Sequence, residues 1–281
     1  MEILNKEFVI KGSSGRDILI DISYKKNNLP KEIIIFSHGF KGFKDWGAFN
    51  YISKFFAKNN YVFLKFNFSH NGTTVNHPCE FNDLDAFSKN NFSKELDDLN
   101  LILSWICECD IFNKEVDIKK IILFGHSRGG AISIIKSRED SRLSKIISWS
   151  APSNLLSRLP VKEKVEFWKK TNVAYVYNAR TKQNMPINFQ FYQNCINNSN
   201  RINLELAIKE IKIPILIVHG DNDPTVLVDQ AYDFKNWNDK VDLKIIKNAD
   251  HVFGVSHPQC FNNIPIHLND ALDVTLKFLK Q

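Results

Sequence analysis

Several things are scarce in this 281-residue chain, and each scarcity narrows what it can be. Glycine (11 residues), cysteine (5) and methionine (2) are few. No stretch approaches 18 uninterrupted apolar residues, so no membrane span is expected. The start, Met1 to Glu7, carries charges with no apolar segment behind them, so no export signal is visible. Lysines and arginines outnumber acids, 37 to 31, giving a net charge of +6. They are scattered in ones and twos, with no basic arm for nucleic acid, and read as a solvated surface with a slight bias towards anionic substrates. The cysteines, at 79, 107, 109, 195 and 260, are odd in number and dispersed, which points to reduced thiols and a cytoplasmic location. Cys107-Glu108-Cys109 lacks the two-residue spacer of zinc or redox pairs, so no metal site is expected there. There are no repeats and no low-complexity segments.

What is present is a run of short apolar segments at 8–10, 18–24, 33–37, 61–66, 121–124, 146–149, 213–218 and 241–246, read as strands. Helical stripes lie between them: Phe49, Ile52, Phe55 and Phe56; then Phe92, Leu96, Leu99, Leu103 and Ile106; and a closing helix at 266–279. Alternating buried strands and amphipathic helices predict an α/β fold with a doubly wound, mostly parallel sheet. One segment breaks the rhythm. Residues 152–211 separate two core strands by more than an ordinary connection, and are expected to form an inserted lid on a core made of 1–151 and 212–281. Within it the pattern predicts a helix at 161–170, hairpin strands at 173–177 and 187–192, and a short helix at 204–211.

The scarcity of glycine makes one cluster conspicuous. Gly125-His126-Ser127-Arg128-Gly129-Gly130 directly follows the strand at 121–124. A strand that breaks into Gly-x-Ser-x-Gly ahead of a small-residue helix is a nucleophile elbow, with glycines where the chain nearly touches itself. An activated serine needs a base and an acid to orient the base. His251, in the loop after the strand at 241–246, is the candidate base, with His257 its nearest rival. Asp223 lies just past the strand at 213–218, on a turn stiffened by Pro224, and is the candidate acid. Asp221 reads more simply as a turn former, and Asp250 is a third possibility. An oxyanion hole needs two N–H donors. Arg128, after the nucleophile, supplies one; Phe40, in the bend between Gly39 and Gly42, is the expected second.

Ser127, Asp223 and His251 in that order, with the elbow, His38-Gly39 and His219-Gly220, resemble the α/β-hydrolase superfamily over nearly the whole chain. The stretches 37–42 and 66–72 are similar to the branch holding dienelactone hydrolase-like proteins, serine aminopeptidase-like hydrolases and cinnamoyl or feruloyl esterases. Where those relatives often carry Arg-Gly-His-Gly, this chain has Ser69-His70-Asn71-Gly72, losing a positive charge. The resemblance implies hydrolysis of a small-molecule ester through an acyl-enzyme, with no cofactor. Thioesterase, acyltransferase or peptidase action would use the same residues, and a silent binding protein is the alternative outside enzymes. His38, Trp46, Trp168 and Tyr175 are the substrate-binding candidates. The aromatics of 152–211 suit an aromatic acyl group or simply the lid's own core. The oligomeric state stays open, a homodimer included.

Overall fold

The computed structural model describes residues 2–12, 14–112, 114–259 and 263–281. Its frame is an eight-stranded sheet in the order β1-β2-β4-β3-β5-β6-β9-β10. The strands are β1 (Ile3–Lys11), β2 (Asp17–Lys25), β3 (Lys31–Ser37), β4 (Val62–Phe66), β5 (Val116–His126), β6 (Leu143–Trp149), β9 (Ile215–Gly220) and β10 (Asp242–Ile246). β1 and β2 are antiparallel to each other and β2 is antiparallel to β4, while every pairing from β4 to β10 is parallel. All eight strands expected from the apolar runs are in this sheet. β4 and β9 are buried along their whole length, because helices cover both faces of a parallel sheet.

The two faces hold separate cores. One contains the stripe of α3 (Phe92–Glu108) and the apolar side of α4 (Arg128–Glu139); the other contains α1 (Phe49–Lys58) and α9 (Ile266–Leu279). The N-terminus of α3 is closed by Asn91, whose side-chain oxygen accepts from the Lys94 N–H at 2.9 Å. Outside residues 152–211, two helices were not placed from the sequence, α2 (Leu84–Ser88) and α8 (Asp229–Trp237). Both are short, and their few apolar residues give too little periodicity to stand out. Among the described residues no helix is long and apolar enough to cross a membrane.

Between β6 and β9 the chain forms α5 (Glu163–Thr171), the hairpin β7 (Val173–Asn178) and β8 (Gln183–Asn188), α6 (Gln190–Asn197) and α7 (Leu204–Glu210). The second hairpin strand therefore lies earlier than 187–192, and residues 190–192 begin a helix. Packing decides this against the local alternation. As a helix, α6 places Phe191 and Cys195 one turn apart towards the core, with the Phe191 ring 5.1 Å from that of Phe92. Gln190 also exchanges hydrogen bonds with Asn91 (2.7 Å) and Asn90 (2.9 Å). The hairpin is pinned by Met185, fully buried against Phe43, Phe81 and Phe87. The cysteines at 79, 107, 109 and 195 are unpaired, and Cys260 lies outside the described residues.

Candidate active site

At the end of β5, Ser127 adopts φ 55° and ψ −122° before α4 begins. That left-handed backbone is unfavourable for a residue with a Cβ and turns the hydroxyl out over the sheet edge. The neighbouring glycines are steric necessities. A Cβ on Gly125 would meet Gly129 carbonyl carbon at 2.2 Å, and one on Gly129 would meet the Ser37 carbonyl oxygen at 2.1 Å. The turn is tied down by the Ser127 N–H donating to the Trp149 carbonyl at 2.7 Å.

Two loops from neighbouring strands reach the serine. His251 follows β10, and its Nε2 lies 3.1 Å from Ser127 Oγ. Its Nδ1 lies 2.7 Å from Asp223 Oδ2, past the end of β9. Asp223 is fully buried at its side chain. Burial alone would raise its carboxyl, but contacts from His219 and His251 and the Val226 N–H hold it well below the usual carboxylate range. Its Oδ1 accepts from the N–H groups of Thr225 (2.7 Å) and Val226 (2.9 Å), which fixes the carboxylate plane. Gly220 lets the two loops meet, since a Cβ there would strike the Ala249 carbonyl oxygen at 2.2 Å.

Opposite the serine, the loop after β3 comes so close that a Cβ on Gly39 would lie 3.0 Å from Ser127 Cβ. Phe40 is in that loop, and Arg128 is the first residue of α4, where a backbone N–H has no acceptor within the helix. Their side chains are stacked. The Arg128 guanidinium carbon stands 4.0 Å from the Phe40 ring centroid, and Nη1 reaches the buried Glu95 carboxylate at 3.3 Å. Burial raises the Glu95 carboxyl despite the opposing pull of Arg128.

Residues 20–238 match the model of the BD-FAE family. The chain belongs to the BD-FAE family. Among curated relatives, a Mycoplasma genitalium protein provisionally named esterase/lipase 2 is 26% identical over 262 residues, spanning 86% of this chain and 90% of its own length. Est1E from Butyrivibrio proteoclasticus, solved with ferulic acid bound, superposes with a TM-score of 0.72 at 16% identity, covering 98% of this chain and 100% of that one. The Penicillium α/β hydrolase GrgF superposes at 0.73 and 15% identity, covering 100% and 98%. At such low identity these likenesses establish the fold, which is that of the α/β hydrolases.

In this BD-FAE chain the other sequence candidates fall in distinct places. Trp46 lines the cavity of about 280 Å³ beside Ser127, together with Phe40 and His251. Trp168 and Tyr175 do not. They line a separate hollow with Phe167, and Trp168 is buried with its indole N–H on the Ile187 carbonyl at 2.9 Å. Within residues 152–211 the Trp168, Phe189 and Tyr192 rings pack on one another, Phe191 joins the core against Phe92, and Phe167, Tyr175 and Tyr177 are exposed. His38 is also behind the cavity wall. Its Nδ1 donates to the Gly39 carbonyl at 2.9 Å and its Nε2 accepts from Phe68 N–H at 3.4 Å, so it braces the loop. Burial, with the Arg128 charge adding, lowers its imidazole to about 4, which keeps it neutral.

The rival acids and base have other partners. His257 Nδ1 accepts from the Gly47 N–H at 3.0 Å. Asp221 holds the Asn248 N–H at 2.5 Å, and Asp250 holds those of Val252 and Gly254. Sequence reasoning missed several contributors, Lys41 and Phe49 on the cavity wall among them. His126 Nε2 donates to the His251 carbonyl at 2.9 Å, and burial lowers its imidazole to about 3. His219 Nε2 donates to the Val226 carbonyl at 2.8 Å and lies 3.3 Å from Asp223. Asn178 and Arg180, from the β7–β8 turn, close one side of the cavity. The two histidines sit inside motifs already singled out, but the turn carries no signal that would bring it here.

Proposed function

We propose that this chain is a serine hydrolase that cleaves carboxylic esters of small or aromatic acids through an acyl-enzyme on Ser127. The observation that carries the reading is the unbroken hydrogen-bond chain Ser127–His251–Asp223 beneath a serine in strained backbone. The esterase/lipase name of its Mycoplasma relative agrees with it.

In this mechanism His251 Nε2 accepts the Ser127 proton as Oγ attacks the ester carbonyl. Asp223, buried and held ionised, keeps the Nδ1 proton on the imidazole and stabilises the imidazolium without taking that proton. The charge that develops on the carbonyl oxygen falls to the N–H groups of Phe40 and Arg128, at the positive end of α4. The imidazolium then protonates the leaving alcohol, and the neutral imidazole activates water to release the acid. Residues 152–211 act as a cap, contributing Asn178 and Arg180 to the cavity wall. Trp46 and Phe49 supply an apolar surface for the acyl group.

A fluorophosphonate probe tests the nucleophile. Labelling is expected on the native chain and lost in Ser127→Ala, alongside hydrolysis of 4-nitrophenyl butyrate. Failure of the folded native chain to label would remove the reading.

A further inference from the structure

The cavity beside Ser127 is bordered by two cations, Lys41 and Arg180, and by no carboxylate among the described residues. Neighbouring cations are neutralised. Arg128 is paired with Glu95, while Lys44 and Lys65 share Asp21 and Asp45. Lys41 and Arg180 have no carboxylate within salt-bridge distance among the described residues; each meets only carbonyls and rings. Arg180 Nη2 donates to the Lys41 carbonyl at 2.9 Å, and Lys41 Nζ donates to the Tyr177 carbonyl at 3.2 Å. The guanidinium carbon lies 5.5 Å from the Phe43 ring and 5.8 Å from those of Trp46 and Phe81, so the turn folds the charge back against the cavity wall.

Lys41 and Arg180 stand together on the cavity rim, joined by the Arg180 hydrogen bond to the Lys41 carbonyl, and two like charges so placed repel. Burial, and then the Arg180 charge, lower the Lys41 ammonium from its ordinary range. An anion at the mouth would relieve that repulsion and meet the free edge of the guanidinium, whose planar fork matches a carboxylate. Resting on the esterase reading of Ser127, we propose that Lys41 and Arg180 form a carboxylate-recognising site. It selects esters that carry a second, anionic group a few atoms from the scissile carbonyl.

The test separates recognition from chemistry. Ser127→Ala protein, titrated calorimetrically, is expected to bind the anionic amide N-phenylsuccinamic acid roughly ten- to a hundredfold more tightly than neutral N-phenylbutanamide. Adding Arg180→Gln is expected to abolish that preference, Arg180→Lys to keep part of it, and Lys41→Gln to weaken it. Equal affinities, no binding of either amide, or a preference that survives Arg180→Gln would overturn the proposal. In parallel, the native chain is given the 4-nitrophenyl hemisuccinate and butyrate esters. Turnover of both without charge preference sinks the carboxylate site alone. Charge-selective binding with neither ester cleaved sinks the esterase reading and leaves the site standing.

Discussion

Ser127 sits at φ 55°, a conformation costing on the order of 1–3 kcal/mol for a residue with a Cβ. The cost falls on Ser127 itself, so replacing it should separate stability from activity. Ser127→Gly is expected to be inactive and about 1 kcal/mol more stable than Ser127→Ala, read from urea midpoints. Asp223 gives the complementary case. Asp223→Asn keeps the shape but no longer holds a proton on His251 Nδ1, so kcat should fall on the order of 10³- to 10⁴-fold while the fold survives. An unchanged kcat would assign Asp223 a purely structural role. Arg128 acts through its side chain as well as its N–H. Arg128→Ala would leave Glu95 buried without its cation and Phe40 without its stacking partner, and is expected to cost about 3–5 kcal/mol. At this scale the sequence was informative: Ser127, Asp223 and His251 were readable because each follows an apolar run at a sheet edge. His38, Trp168 and Tyr175 were not, since whether a side chain faces a cavity or a core is invisible in its own neighbourhood.

Where β3, β5 and α4 cross, the chain is packed backbone to backbone. Gly129→Ala would force a Cβ to 2.1 Å from the Ser37 carbonyl oxygen, where no side chain can yield. The helix must then shift, and a loss of at least about 3 kcal/mol is expected in chemical denaturation, with activity lost too. Ala at a solvent-facing helical position of α4 is the control. Strands were the most legible elements because a parallel sheet buries both faces and leaves unbroken apolar runs. The hairpin and α6 were misplaced because alternation at 187–192 fits a strand locally, while Phe92, Asn90 and Asn91, roughly a hundred residues earlier, stabilise the helix.

Over the whole molecule, three buried imidazoles share one behaviour. Burial lowers His38, His70 and His126 from the ordinary 6.5 to about 4, about 4 and about 3. In the unfolded chain they take up protons near pH 6.5, whereas the folded chain resists until the pH is lower. The unfolded state then binds more protons, so stability falls as pH drops from about 6.5 towards 4. Asp45 and Asp223, held below the ordinary carboxylate value of 3.8 when folded, extend the loss at still lower pH. The Tm should therefore decline steadily from pH 7 to 4, and His38→Gln should flatten part of that decline. A level Tm across this window would mean the imidazoles titrate normally.

The sequence by itself determined the layered α/β architecture and the order of Ser127, Asp223 and His251 at successive strand ends. Both depend on local patterns: apolar runs for strands, and glycines where backbone must approach backbone. Only the tertiary structure decided what surrounds the serine. Arg180 lies 53 residues beyond Ser127 in a hairpin turn, and Lys41 lies 86 before it, yet both border the same cavity. Their meeting depends on Met185 anchoring the hairpin against Phe43, Phe81 and Phe87, a contact between distant segments that no local pattern encodes.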